Sequence, residues 1–267
     1  MAHLRHEQLT YELRGLIFDM QNKLKVGWPE EIYHQGLVES LRDRGIPVES
    51  KPRRNVTHRG VEVHVFECDL IAWDRIVLEL KVLPVGTFAA GHYAQLINYL
   101  KCWSKDLGLL VNFGSMPAQI ERVVWDEPKL VIHEDYDAIK PAMAETDWLC
   151  VQRVRQNVLA VAAQYGLGYP ETVYRRITAI EMQHSGLDCQ SAVDIPAKLD
   201  GKILARHSSE HLLVEGKYLL NVRALLERPA RYDFAQTKTF LNGLGSKFGL
   251  IVNFGKRQLQ IYGVNAD

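Results

Sequence analysis

"ECDLIAWDRIVLELK", residues 67–81, decides how this chain is read. "VFECDLIAW" and "RIVLELK" are apolar runs that pair as a hairpin turning around Asp74, so that positions summing to 148 face each other. Asp69 then lies opposite Glu79, and directly opposed side chains stand roughly 4.5–5.5 Å apart at Cβ. Lys81, two residues beyond Glu79, projects from the same face, while Leu78 and Leu80 point to the other. One hairpin thus gathers two carboxylates and an ammonium group at one spot.

Working outward, helical periodicity runs from about Glu7 to Lys25, and Pro29 starts a second helix that ends at Gly45. "IPVESKPRRNVTH", "VEVHVFECDLIAW" and "RIVLELKVL" then read as three strands separated by turn signals. A helix through "AAGHYAQLINYLKCW", a buried strand "LGLLVNF" and a last strand at "AQIERVVW" complete the unit. Helix, helix, strand meander, helix, strand, strand is an α/β order, and it predicts a mixed β-sheet flanked by helices.

The chain writes this unit twice. "GWPEEIY" (27–33) returns 141 positions later as "GYPETVY" (168–174), and "GLLVNFG" (108–114) as "GLIVNFG" (249–255). Gly45, Gly60, Ala94 and Gln95 fall on Gly186, Gly201, Ala235 and Gln236 at the same offset. Two copies are too few for a solenoid, so each is expected to be a self-contained domain, residues 1–143 and 144–267, with the seam in "DEPKLVIHEDYDAIKPAMAETD".

Two carboxylates and a lysine are the parts of a metal-dependent phosphodiesterase. Magnesium or manganese prefers hard oxygen ligands and needs only one or two carboxylates, leaving room for water and phosphate oxygens. A lysine beside them can orient the attacking water or stabilise developing charge. A bare D-x9-E-x-K pattern is common, and its plainer reading is a solvated strand face with Asp69 paired to a lysine. The strand is otherwise apolar, through Ile76, Val77, Val82 and Leu83, and ions inside a buried strand need a metal or a partner.

"GWPEEIY", "CDLIAWDRIVLELK" and "HYAQLINYL" together resemble the GxxExxY family of the PD-(D/E)XK nuclease superfamily, and the last segment is similar to the Q-x-x-x-Y motif of its RecB-type exonuclease branch. The resemblance covers about residues 9–125 and implies two tandem restriction-endonuclease-like domains. It implies Asp69 and Glu79 as metal ligands, Glu30 as a further acidic residue brought towards the metal, and Lys81 as the catalytic lysine. Gln95 and Tyr99 would share a helix face over the pocket, with His92 near the substrate phosphate. Lys51, Arg53 and Arg54 in "KPRRNVTHR" are candidates for phosphate contacts. Each has a plainer role: Glu30 at a helix dipole, His92 as an exposed helix residue, Gln95 and Tyr99 as interior hydrogen-bonders, the basic stretch as a solvated hairpin edge. Gly27 and Tyr33 read as a backbone turn and a packed aromatic.

In the second copy a tighter hairpin around Glu215 and Gly216 makes positions summing to 431 face each other, setting Glu210 opposite Asn221. The counterparts of Glu79, Lys81, Tyr99 and His92 are then Asn221, Arg223, Phe240 and Asp233. Asparagine is a poor magnesium ligand beside a carboxylate, and arginine does not transfer protons near neutrality. The second copy is expected to keep the scaffold without the chemistry, as a structural or substrate-binding partner.

With 32 basic and 32 acidic residues, the chain offers nucleic acid no global field, only local patches. Residues 1–144 carry a net −3 and residues 145–267 a net +3, too small a split to assign roles. Cys68, Cys102, Cys150 and Cys189 lie far apart without a C-x-x-C pair, which argues against a zinc ribbon or iron–sulfur cluster. No apolar run reaches about 18 residues and the N-terminus lacks an apolar signal core, so a cytoplasmic protein without membrane contact is expected. The expectation is a Mg2+- or Mn2+-dependent nuclease acting on nucleic acid, DNA rather than RNA, with its two copies paired within the chain or in a homodimer. The competing class is a non-catalytic nucleic-acid-binding or scaffold protein that keeps the nuclease fold.

Overall fold

The computed structural model describes residues 5–84 and 86–266. The chain divides into two units: residues up to Val56 with His64–Asp126, and Thr57–Val63 with Glu127 onward.

The first unit opens with helices α1 (Glu7–Leu24) and α2 (Glu30–Asp43), followed by strands β1 (Val48–Ser50), β2 (Arg53–His58), β3 (Val61–Glu67), β4 (Leu70–Ala72) and β5 (Ile76–Lys81). Helix α3 (Ala90–Trp103) leads to β6 (Leu107–Asn112) and β7 (Gln119–Val124). Five strands form one sheet in the order β1-β4-β5-β6-β7, and β2 with β3 makes a separate ribbon whose tip, Thr57–Val63, belongs to the second unit. Only β5 and β6 run parallel, and α3 supplies the crossover that a parallel pair requires.

Burial explains the layers. Leu13, Leu16, Ile17 and Met20 make an apolar stripe on α1, and Tyr33, Leu37 and Leu41 one on α2. Both stripes pack against Leu78, Leu80, Leu109, Val111 and Phe113 of the sheet. Helix α3 covers the opposite face, where a Cβ on Gly108 would come within 2.7 Å of Leu96, so glycine sets the close approach. Leu78 and Leu80 therefore face one core, and Glu79 faces α3.

Two expected strands are each broken. The run 46–58 splits at Lys51, which takes a left-handed φ of 48°, and the run 61–73 splits at Cys68 and Asp69. The Lys51 N–H still donates to the Asp69 carbonyl at 2.8 Å, so the chains stay together where the ribbon leaves the main sheet.

The second unit repeats the plan with α4 (Glu145–Tyr165), α5 (Glu171–His184), β9 (Cys189–Leu199), β10 (Lys202–Val214), β11 (Tyr218–Arg223), α6 (Arg231–Leu244), β12 (Phe248–Phe254) and β13 (Leu259–Asn265). Here the two long strands are unbroken. A further strand, β8 (Ile132–Asp135), lies inside the expected seam and pairs with β13, giving the order β8-β13-β12-β11-β10-β9. The stretch 126–147 is thus partly built into the second unit, ahead of the expected start at residue 144.

The repeated heptapeptide has the same local structure in both units. Gly27 and Gly168 take φ of 107° and 116°, a conformation that favours glycine. Tyr33 stacks on Phe113 with centroids 4.6 Å apart, Tyr174 on Phe254 at 4.2 Å. The Tyr33 hydroxyl donates to the Lys25 carbonyl and that of Tyr174 to the Gly166 carbonyl, both at 2.7 Å. Glycine and tyrosine of this motif serve the fold. Among the described residues, no helix is long and apolar enough to cross a membrane.

Candidate active site

The first hairpin has the expected register. Leu70 pairs with Leu78, Ile71 with Val77 and Ala72 with Ile76, and continuing the ladder sets Asp69 opposite Glu79. The turn is tight: Trp73 and Asp74 both take left-handed φ, 53° and 52°, and Arg75 N–H donates to the Ala72 carbonyl at 3.0 Å.

Glu79 is 2% exposed and its Oε1 accepts a hydrogen bond from Lys81 Nζ at 2.5 Å. Lys81 Nζ also donates to the Leu80 carbonyl, and Asp69 Oδ2 accepts the Leu80 N–H at 2.7 Å. Burial, then the Asp69 charge, pushes the Glu79 carboxyl up to about 7 despite the lysine. Burial pulls the Lys81 ammonium down, but Glu79, Glu30 and Asp69 together outweigh it and hold its pKa above the ordinary lysine value. Lys81 is therefore a firm cation. Glu30, the first residue of α2, has its pKa raised by burial against the pull of Lys81. These mutual shifts place four charged groups in one electrostatic neighbourhood.

Gln95 and Tyr99 sit one turn apart on α3, and Gln95 Nε2 donates to the Tyr99 hydroxyl at 2.9 Å. Burial, followed by the Glu79 charge, raises the Tyr99 pKa, which keeps the phenol protonated. His92 serves the helix start: its Nδ1 accepts the Ala89 N–H at 3.1 Å. The basic stretch is already engaged. Lys51 pairs with Glu31 at 2.5 Å, Arg53 with Glu67 at 2.5 Å, and Arg54 donates to the Cys102 carbonyl at 2.8 Å.

Two residues that the sequence reading passed over belong here. His34, one turn after Glu30, is buried, with its Nε2 3.2 Å from the Asp69 carbonyl and 3.3 Å from Ser50 Oγ. The i, i+4 spacing from Glu30 was its signal. Asn112, the asparagine of "LLVNFG", accepts the Leu83 N–H at 2.8 Å and donates to the Leu83 carbonyl, clamping the chain just beyond Lys81. Asn253 accepts the Leu225 N–H at 2.8 Å in the same way.

The second hairpin departs from its expected register by one residue. Leu212 pairs with Leu220 and Val214 with Tyr218, so Asn221 lies opposite His211 and Glu210 is displaced. The turn spans three residues, 215–217, where a turn of Glu215 and Gly216 alone was expected; farther along, a β-bulge lets β10 advance three residues from Ser209 to Leu212 while β9 advances two, from Val193 to Ser191. His211 therefore occupies the position of Asp69. Asn221 Nδ2 donates to Thr237 Oγ1 at 3.0 Å, while Arg223 reaches Glu171 at 3.3 Å and Asp233 at 3.2 Å.

The family model for the PD-(D/E)XK nuclease superfamily matches the chain twice, over residues 7–123 and 149–263. The chain belongs to the PD-(D/E)XK nuclease superfamily. The two mixed α/β units are its tandem PD-(D/E)XK domains, and members of the superfamily are usually nucleases that use Mg2+ or Mn2+. No curated protein sequence matches the chain significantly. Among solved structures, that titled "Crystal structure of SSO0001" is similar at 25% identity over 36% of this chain and 51% of its own, with a TM-score of 0.30. The match thus spans about half the length of that protein.

For a PD-(D/E)XK domain, the donor set around β5 fits a hard divalent cation. Asp69 and Glu79 are two oxygen donors; burial and then the Asp69 charge raise the Glu79 carboxyl, and the bonded Lys81 offsets only part of this. Among the described residues, no group of three or more His, Cys, Asp and Glu is placed to hold a metal ion, and Glu30 is coupled electrostatically to Lys81 and Asp69.

Proposed function

We propose that the first PD-(D/E)XK domain is a GxxExxY-type nuclease that hydrolyses phosphodiester bonds of nucleic acid, with DNA as its substrate, in a Mg2+- or Mn2+-dependent reaction. The observation that carries this is the hairpin register: Asp69 opposite Glu79, with Lys81 bonded to Glu79 on the same face. Asp69 and Glu79 would hold the cation, with Glu30 close enough to adjust its water shell. When bound between these carboxylates, such a cation would supply Lewis-acid polarisation of the phosphoryl group and a more acidic water. Lys81 stays protonated, so its work is to orient the attacking water and to stabilise charge that develops on the phosphoryl group, without itself serving as the base. Tyr99, anchored by Gln95, adds a hydroxyl donor from the α3 side. The second domain supports the first as a structural or substrate-binding partner.

The test is incubation of the full chain with labelled single- and double-stranded DNA and RNA in Mg2+ or Mn2+, beside Glu79→Ala and Lys81→Ala. Cleavage by the parent and its loss in both variants is expected. Absence of cleavage in every condition, or cleavage unchanged in both variants, overturns the assignment. A binding-only reading draws on the closed Glu79–Lys81 pair, and the same assay identifies it by retention of nucleic acid without product.

A further inference from the structure

In the second domain the place of the candidate active site is a polar pocket of about 210 Å3, and its charged groups have no part in the proposed reaction. Arg223, at the end of β11, bridges Glu171 and Asp233, and Arg175 bridges Glu171 at 3.4 Å and Glu210 at 2.8 Å. Asp233 is fixed in turn by accepting the Ala230 N–H at 2.7 Å. Two guanidinium groups thus face three carboxylates, Glu171 and Asp233 inside the pocket and Glu210 at the rim with its side chain 76% exposed. Charge that the first domain would take from a cation is here supplied by the protein.

Two donors remain. Arg223 Nε and His211 Nε2 are buried and have no hydrogen-bond partner among the described residues, and both residues line the pocket. The Ser209 hydroxyl lies 2.6 Å from His211 Nδ1, and with that hydroxyl as donor the ring proton of the neutral imidazole is assigned to Nε2. Burial, reinforced by Arg223 and Arg175, holds the His211 pKa down at about 4, so the ring is neutral and Nε2–H is a donor at neutral pH. Buried N–H groups without acceptors are destabilising until an acceptor arrives.

We propose that this pocket is a metal-independent phosphate subsite, which takes an anionic phosphoryl oxygen on Arg223 Nε–H and His211 Nε2–H. The oxygen belongs either to a nucleic-acid phosphodiester or to free phosphate, and only the first source rests on the nuclease reading. Guanidinium groups suit this role because they remain charged and present directed donors.

The experiment uses the full chain in EDTA. Fluorescence anisotropy follows labelled single- and double-stranded DNA and RNA oligonucleotides, and calorimetry follows inorganic phosphate. Arg223→Lys keeps a cation for Glu171 and Asp233 but removes the Nε donor, and His211→Phe removes the other donor; circular dichroism and melting confirm that each variant is folded. Binding by the parent in EDTA, weakened at least about fivefold in each folded variant, is expected. Binding of oligonucleotide but not phosphate identifies the nucleic-acid source, and the reverse identifies free phosphate. No binding of either by the parent, or parent-like affinity in the folded variants, overturns the subsite. Cleavage in Mg2+ is scored separately: cleavage without binding in EDTA removes this proposal alone, and binding in EDTA without cleavage removes the nuclease reading alone.

Discussion

Asp69, Glu79 and Lys81 in the first domain and His211, Asn221 and Arg223 in the second occupy the same three positions of the same hairpin. The first set leaves two carboxylates facing each other with one ammonium, an arrangement that gains from a further cation. The second set carries no carboxylate: Asn221 is bonded to Thr237 and Arg223 is held between two acids, with Arg223 Nε and His211 Nε2 left without partners among the described residues. Around both, the supporting residues are the same: a left-handed glycine, a stacked tyrosine, and an asparagine that clamps the chain beyond the strand. Fold and chemistry in this molecule reside on separate residues.

That separation can be broken most forcefully at the tyrosines. Tyr33 and Tyr174 are fully buried and stacked alike, so alanine at either should cost about 3–5 kcal/mol of domain stability by chemical denaturation. A loss below about 1 kcal/mol at one of them would show that the two motifs do not share a structural role. A sharper cut falls on Lys81→Arg, which writes the second domain's residue into the first. Cleavage should fall at least about 100-fold while the melting temperature stays near the parent value. If the arginine supports cleavage, Arg223 is not what separates the domains.

The smallest effect concerns pH. His211 is held neutral with a pKa of about 4, whereas an unfolded histidine titrates near 6.5. Below about pH 6.5 the unfolded chain takes up a proton that the folded domain refuses, so this stabilisation is complete above that pH and is lost as the pH falls towards 4. The parent should therefore lose about 1 kcal/mol more than His211→Phe between neutrality and about pH 5.5, measured by denaturant melts. Equal slopes would mean that the ring is not shielded from protonation.

The sequence made the first hairpin legible because alternation and a turn centred on Asp74 leave one register that buries Leu78 and Leu80. The repeat was legible because the chain carries its own comparison. The second register was not, since Glu215 and Gly216 signal a turn without showing that Lys217 belongs to it as well. Nor could composition show that Lys51, Arg53 and Arg54 are already engaged, or that His92 caps α3, because pairing depends on neighbours brought in by the fold. Strand β8 escaped notice for a related reason: its pairing partner is β13, more than a hundred residues away.

The bulge in β10 also carries a record of descent. Residues 82–89, between β5 and α3, correspond to 224–230, between β11 and α6, so the residue gained before the hairpin is lost after it. An insertion and a compensating deletion restore the 141-residue offset on either side and conceal the slip within. Anyone attempting to revive metal chemistry in the second domain must therefore write the first carboxylate at His211 and leave Glu210 alone. Ancestral reconstruction that aligns the copies without gaps would place it at Glu210, at the pocket rim, and not at the position opposite Asn221.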